Sequence, residues 1–408
     1  MASRLSFHRQ SLVIPSCAEG RAPLDVIEEL PPDTLAIVVV NEALEASAAV
    51  RASNAETLDA LESRYSVRAR DADERVSIAA APWGELVIVD RTGEHALPEK
   101  EGVGLARKIG ADLALASWCH DPQRSPFIAF TDSDVVLPSD YFDVLHGVDW
   151  RCHAGAWHVF RHVEDESAPS DLIWAYEIWL RYHVLGLRYA GSPSAFHTIG
   201  STQSVSATQY AAAGGMPKRQ AAEDFYLFNK LAKLGPIVRV GRTPIALSGR
   251  LSRRVPFGTG AAMAAWNRER GAERFELYDP RVYEVLARLW TALNEWVEAQ
   301  DDLDRRLRRD PLLRDCADTI EPRVLPRSND ARARVTSSNA LRRRIETAFD
   351  AFWTLKLVHA LRDNHCPSLE VREALSRAPF VDADTSGGSM RDLALRIEGL
   401  EDEVFLAL

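Results

Sequence analysis

At 408 residues, with 46% hydrophobic and 26% charged side chains, the chain has the material for more than one core and exceeds the usual size of a single domain. Its 49 basic and 59 acidic residues leave a net charge of −10, and no long basic tract points to nucleic acid as the main partner. The five cysteines, Cys17, Cys119, Cys152, Cys316 and Cys366, form no CxxC pair. That excludes a disulfide framework and a zinc pattern and fits a reducing cytoplasm, the expected location. No cationic start with an apolar run opens the chain, and the most apolar long stretch, Leu172 to Tyr189, carries Glu177, Arg181, His183 and Arg188. No transmembrane segment is therefore expected.

In chain order, the first half alternates short β-like runs with helical stretches, the pattern of an α/β domain with a mostly parallel central sheet. Ser11 to Pro15 is an apolar run ending near Glu19, and a helical stretch covers Leu24 to Leu30. A second strand, Leu35 to Val40, stops at Asn41, and a helix is expected over 43–66. Glu85 to Asp90 reads as a third strand. Gly102 to Ala116 spaces Leu105, Ile109 and Leu113 along one helical stripe, and Phe127 to Phe130 forms a fourth strand that stops at Asp132 and Asp134. Polar residues at the carboxyl ends of such strands, here Glu19, Asn41, Asp90 and Asp132, converge where open α/β sheets bind ligands. Residues 154–260 are mixed, with a strand at 156–160 and an aromatic helix from Ile173. From about Arg268 the pattern becomes helical, with Pro322 to Ser338 expected as a loop. The predicted division is a catalytic domain over 1–265 and a helical C-terminal region over 266–408.

Asp132-Ser133-Asp134 follows an apolar strand and precedes Val135 to Pro138. Two carboxylates one residue apart at a strand end suit a hard divalent cation, Mg2+ or Mn2+, shared with substrate phosphates; a solvated turn or helix cap is the plainer alternative. Further on, Gly214-Gly215 leads to Glu223-Asp224 at the start of a helix, where carboxylates commonly cap. Arg250, Arg253 and Arg254 lie in a glycine-bounded loop, and guanidinium groups bind phosphate oxygens in bidentate fashion.

These residues together resemble the GT-A glycosyltransferases, above all the family 2 type. The resemblance rests on Val13-Ile14-Pro15 running to Glu19, on Ala106-Arg107-Lys108-Ile109-Gly110, on the strand ending in Asp132 and Asp134, and on the Gly-Gly turn before Glu223-Asp224. It implies a Rossmann-like nucleotide-diphospho-sugar transferase domain and an inverting transfer to an acceptor hydroxyl, with Asp224 as general base. Donor contacts would come from Pro15, Glu19, Asn41, Asp90, Arg107, Asp132, Arg250, Arg253 and Arg254, and the metal would sit on Asp132 and Asp134. His197 is a candidate third ligand, and Ser201 to Ser204 lie where the family receives its acceptor, a small molecule, a glycan or a lipid-linked sugar. Trp174, Trp179 and Tyr182 suit either a buried core, an oligomer contact or a stacking wall for sugar. Two alternatives remain: a haloacid-dehalogenase-type phosphatase using Asp132 and Asp134, and a non-catalytic sugar-nucleotide-binding or scaffold protein whose C-terminal helices assemble copies of the chain.

Overall fold

The computed structural model describes residues 2–166, 170–250, 275–299 and 301–406. They fall into two compact units, one of Met1–Asp165 with Thr198–Ala261 and one of Glu166–His197 with Ala262–Leu408. The boundary expected near residue 265 lies outside the described residues, and the aromatic helix Ser170–Tyr189 belongs to the second unit.

The first unit is built on a nine-stranded sheet among the described residues. Its strands are β1 (Gln10–Ser16), β2 (Thr34–Asn41), β3 (Ser66–Asp71), β4 (Val76–Ala81), β5 (Gly84–Arg91), β6 (Phe127–Phe130), β7 (Gly155–Val163), β8 (Gln203–Ser206) and β9 (Ile237–Ser248). The spatial order is β3-β4-β5-β2-β1-β6-β8-β7-β9. Pairings β2/β5, β1/β2, β1/β6 and β7/β9 are parallel, whereas β3/β4, β4/β5, β6/β8 and β7/β8 are antiparallel. The sheet is thus mixed, not mostly parallel as the alternation of elements suggested. Connection length supplies one reason: only residues 72–75 join β3 to β4 and only 82–83 join β4 to β5. Such short links permit a hairpin and forbid the crossover that a parallel pair needs. At the second turn Gly84 has φ +146°, and a Cβ there would lie 2.3 Å from the Thr34 carbonyl oxygen, so only glycine fits.

Buried strands β1 and β2 carry Leu12, Val13 and Ile14, and Leu35 through Val40, all fully inaccessible. Near-continuous apolar runs of this kind are what a parallel pair covered on both faces requires. Helix Gly102–His120 packs on β1 and β2 through Ala106, Gly110, Ala111 and Ala114. Its approach is close: a Cβ on Gly110 would stand 2.5 Å from Val13 Cγ1. From β1 the chain fills β2 and β5 on one side, then returns through this helix to β6 on the other. The pair β1/β6 is therefore the switch point of the sheet, and open α/β sheets take ligands beyond the carboxyl ends of strands at such a point.

The second unit is helical, with a two-stranded ribbon of Glu276–Leu277 and Leu369–Glu370. Its longest helices are Ser170–Tyr189, Arg281–Ala299, Ala317–Ala333 and Met390–Leu406. Arg281–Ala299 buries Leu286, Leu289, Leu293 and Trp296 along one stripe. Asp302, Asp310, Ser337 and Asp350 cap the starts of helices by accepting from free backbone N–H groups. The expected loop over 322–338 is instead mostly helix, since Ala317–Ala333 runs through Pro322 and Pro326. Each proline costs about 3 kcal/mol in a helix interior. Here both prolines are exposed while Ile320, Val324, Ser328 and Ala331 are buried on another face, and that packing holds the helix. Trp174 and Tyr182 lie in the core, with the Tyr182 hydroxyl donating to the Tyr278 carbonyl at 2.9 Å. Of the roles open to the aromatic helix, burial describes these two. Among the described residues no helix is long and apolar enough to cross a membrane.

Candidate functional site

The segment after β6 is tied at both ends. Thr131 N–H donates to Val13 O at 3.1 Å, and Val136 exchanges two backbone hydrogen bonds of 3.0 Å with Ala246 of β9. Asp132 and Asp134 are thereby held beyond the carboxyl end of β6. Strand β9 ends two residues before Arg250, whose guanidinium reaches Glu19 Oε1 at 2.6 Å and Asp134 Oδ2 at 2.8 Å. Burial works against the Arg250 charge, but the hydrogen bond to Glu19 and the charges of Asp134, Glu19 and Asp132 raise its pKa. Arginine 250 thus links the end of β1 to the end of β6.

Arg107 makes a second and deeper link. Its Nη2 donates to Asp132 Oδ1 at 2.5 Å and its Nη1 donates to Glu223, with only 5% of the side chain exposed. Desolvation alone would lower the pKa of such a group; Asp132, Glu223 and Asp224 together raise it above the ordinary arginine value. Two glycines make room for this arrangement. A Cβ on Gly200 would lie 2.1 Å from Arg107 Nη1, and one on Gly104 would lie 2.5 Å from Arg219 O, an atom that accepts from Gly104 N–H at 3.0 Å. The Gly102/Gly104 pair serves this close approach of the 217–220 segment to the helix start.

Glu223 and Asp224 open helix Glu223–Leu231, preceded by Ala222 in the left-handed region at φ 59°. Glu223 is buried against Arg107. Asp224 is half-buried, with Oδ1 accepting from Phe225 N–H at 2.7 Å. Loss of hydration, and then the neighbouring Glu223 charge, outweigh Arg107 and that hydrogen bond and push the Asp224 carboxyl up to about 7. A carboxylate poised near neutrality beside a crevice is a group suited to accept a proton.

Several expected residues stand elsewhere or differently. Asp90 accepts from Thr92 N–H and Oγ1, at 2.9 and 2.7 Å, and pairs with Arg75, so its carboxylate is committed within the β5 edge. Asn41 is buried at the end of β2, its carbonyl accepting from Asn54 Nδ2 at 3.1 Å. Pro15 is buried within β1 in register with Val39. Ser201, Thr202, Gln203 and Ser204 are buried as well. His197 belongs to the second unit, where its Nε2 meets Glu401 Oε1 at 2.6 Å. Arg253 and Arg254 lie outside the described residues. Sequence reasoning assigned Glu223 no role beyond capping beside Asp224, and read Arg107 as a donor contact; the guanidinium is instead enclosed by two acidic motifs distant in sequence.

Among the described residues, no group of three or more His, Cys, Asp or Glu side chains is arranged to hold a metal ion. Asp132 and Asp134 fit the smaller requirement of a magnesium-like ion, which takes one or two carboxylates and completes its shell with water and substrate phosphate oxygens. Their side chains are 40% and 26% exposed, so each retains an open face beside its guanidinium partner. No protein-family model matches the chain, and no curated protein matches it by sequence.

Proposed function

We propose that the first unit is a GT-A-like glycosyltransferase that moves a sugar from a nucleoside diphosphate sugar to an acceptor hydroxyl by a single inverting displacement. The observation carrying this reading is the Arg107 guanidinium bridging Asp132 to Glu223, which ties the Asp132/Asp134 motif to the helix start that carries Asp224. A divalent cation on Asp132 and Asp134 would supply charge to offset the donor diphosphate.

The chain's own residues provide the rest of the chemistry. Asp224 takes the proton of the acceptor hydroxyl as that oxygen forms its bond to the anomeric carbon. The bond from that carbon to the diphosphate oxygen breaks, its electron pair leaves with the nucleoside diphosphate, and the anomeric centre inverts. Arg250, held by Glu19 and Asp134, stands ready to turn toward the departing phosphate oxygens. Arg107 pairs with Glu223, and the Glu223 charge in turn raises the affinity of Asp224 for a proton.

The test is a thermal-shift panel of nucleoside diphosphate sugars with Mg2+ or Mn2+. A saturating donor stabilises by RT ln(1 + [L]/Kd), about 2.7 kcal/mol at a hundredfold excess over Kd. Stabilisation by one donor, abolished in Asp134→Ala, supports the reading. A flat panel with both ions overturns it.

A further inference from the structure

A second cluster of charge lies wholly within the helical unit, in residues that take no part in the proposed transfer. Helices Ala317–Ala333, Ser338–Ala348 and Ala351–Asn364 border an open concavity of about 1160 Å³. Arg323, Arg327, Arg343, Arg344 and Lys356 line it, and Trp353 and Leu357 give it an apolar wall. Asp330 is the sole acid on that lining, and it pairs with Arg334 at 2.8 Å.

None of the five cations forms an ion pair with a described carboxylate. Arg323 Nη1 donates to the Thr319 carbonyl at 2.8 Å, Arg327 Nη1 donates to the Ala348 carbonyl at 3.4 Å, and Lys356 lies over the Phe352 ring at 4.2 Å. Elsewhere in the same unit arginines are repeatedly paired: Arg306 with Glu295 and Asp301, Arg308 with Asp304 and Glu321, and Arg342 with Glu298. In a chain of net charge −10, leaving five cations without acidic partners around one concavity is not the arrangement that minimises self-repulsion. An anion placed among them would relieve it.

The ligand's chemistry follows from the lining. Guanidinium groups present paired N–H donors that match phosphate oxygens, and several of them suit a group carrying two or more negative charges. Trp353 is 7% exposed and locked edge-on to Phe349, at 4.4 Å between ring centroids, so it offers a fixed apolar surface. The volume of about 1160 Å³ is slightly larger than most small-molecule sites. Cations around a concavity, as opposed to a flat face, favour a molecule small enough to seat in it over a membrane surface.

We infer that the second unit carries a binding site for a phosphorylated small molecule, with its phosphates on Arg323, Arg327, Arg343 and Arg344 and its organic part against Trp353. This goes beyond the transferase reading and stands whether or not that reading holds.

Isothermal titration of the full chain with inorganic diphosphate and with phenyl phosphate, inorganic phosphate serving as the reference for the latter, tests it. Arg327→Glu and Arg343→Glu should each remove a binding step, or weaken it at least about tenfold, the loss expected for one charge-assisted contact. Arg309→Glu, exposed and outside the lining, and Asp134→Ala should both leave that step in place. Phenyl phosphate should bind more tightly than inorganic phosphate, and Trp353→Leu should erase the difference. Circular dichroism melts confirm folding, with Arg343→Gln replacing Arg343→Glu if the charge reversal unfolds the chain. Binding unchanged in both arginine variants overturns the inference. So does the absence of saturable binding by either probe, or binding to phosphatidic acid vesicles alone.

Discussion

Each unit contains a buried arginine surrounded by carboxylates, and the two clusters differ in one respect. In the second unit, Arg181 lies between Glu177, at 3.0 Å, and Glu401, which also meets His197, and all four side chains are at most 2% exposed. In the first unit, Arg107 is as deeply buried, but its partner Asp132 is 40% exposed and Asp224 beside it is half-buried. The cluster is sealed from solvent in one case, and reaches an open edge in the other. The lesson is that a buried ion cluster points to function through its access, since burial, pairing and an excess of acid are common to both.

The effect expected to be largest is on turnover. Asp224→Asn keeps the shape but removes the proton acceptor, so transfer should fall by about 100- to 10,000-fold, the usual contribution of a general base. Donor binding by calorimetry should persist; undiminished turnover would remove Asp224 from the mechanism. Next, Glu401→Ala should destabilise the second unit by about 3–5 kcal/mol, because it leaves Arg181 short of a buried partner. Donor affinity should stay unchanged, and a urea melt that matched wild type would contradict the sealed-cluster description.

Smaller effects concern pH. Asp224 is raised from its ordinary 3.8 to about 7, so between these values the folded chain holds a proton that the unfolded chain has released. Stability therefore falls as pH rises through that window, by about 1–2 kcal/mol once solvent screening is allowed for. Asp224→Asn should flatten this slope in thermal melts, and wild-type turnover should rise to a plateau through pH 7. Glu401 moves the other way. Burial would raise its pKa, but His197 and Arg181 outweigh that and lower it, so its stabilisation is present above the unfolded value of 4.5 and is lost as pH falls. Opposite slopes in Glu401→Gln and Asp224→Asn would sharpen the contrast; parallel ones would dissolve it. Independently of pH, Gly110→Ala should cost about 1–3 kcal/mol by overpacking against Val13, read as a lower midpoint in urea with an unchanged slope.

Much of the parallel core was legible because buried strands leave unbroken apolar runs: Leu35 to Val40 and Phe127 to Phe130 were placed within a residue or two. The edge strand β3 was not. Ser66–Asp71 carries Arg68, Arg70 and Asp71 and alternates only between exposed and half-exposed positions, so it gives no hydrophobic signal. Helix Ala317–Ala333 was hidden by its two prolines, whose local penalty is outweighed by contacts that a one-dimensional pattern does not display. In the site, Asp132, Asp134, Glu19, Arg250 and Asp224 were marked by strand ends, a helix start and a glycine-bounded loop. Asp90 carried the same strand-end mark, yet its carboxylate is engaged by Thr92 and Arg75. A strand-end position says where a side chain begins, and not which neighbours claim it.

Ala222 gives the approach to Asp224 an unusual character. An alanine in the left-handed region costs about 1 kcal/mol relative to glycine, so Ala222→Gly is a substitution that local energetics invite. Yet glycine would let the peptide entering the helix sample many directions, and the aim of Glu223 at Arg107 would blur with it. The methyl group works as a stiffener: stability is surrendered at one joint so that the two acids that follow leave the backbone at a fixed angle.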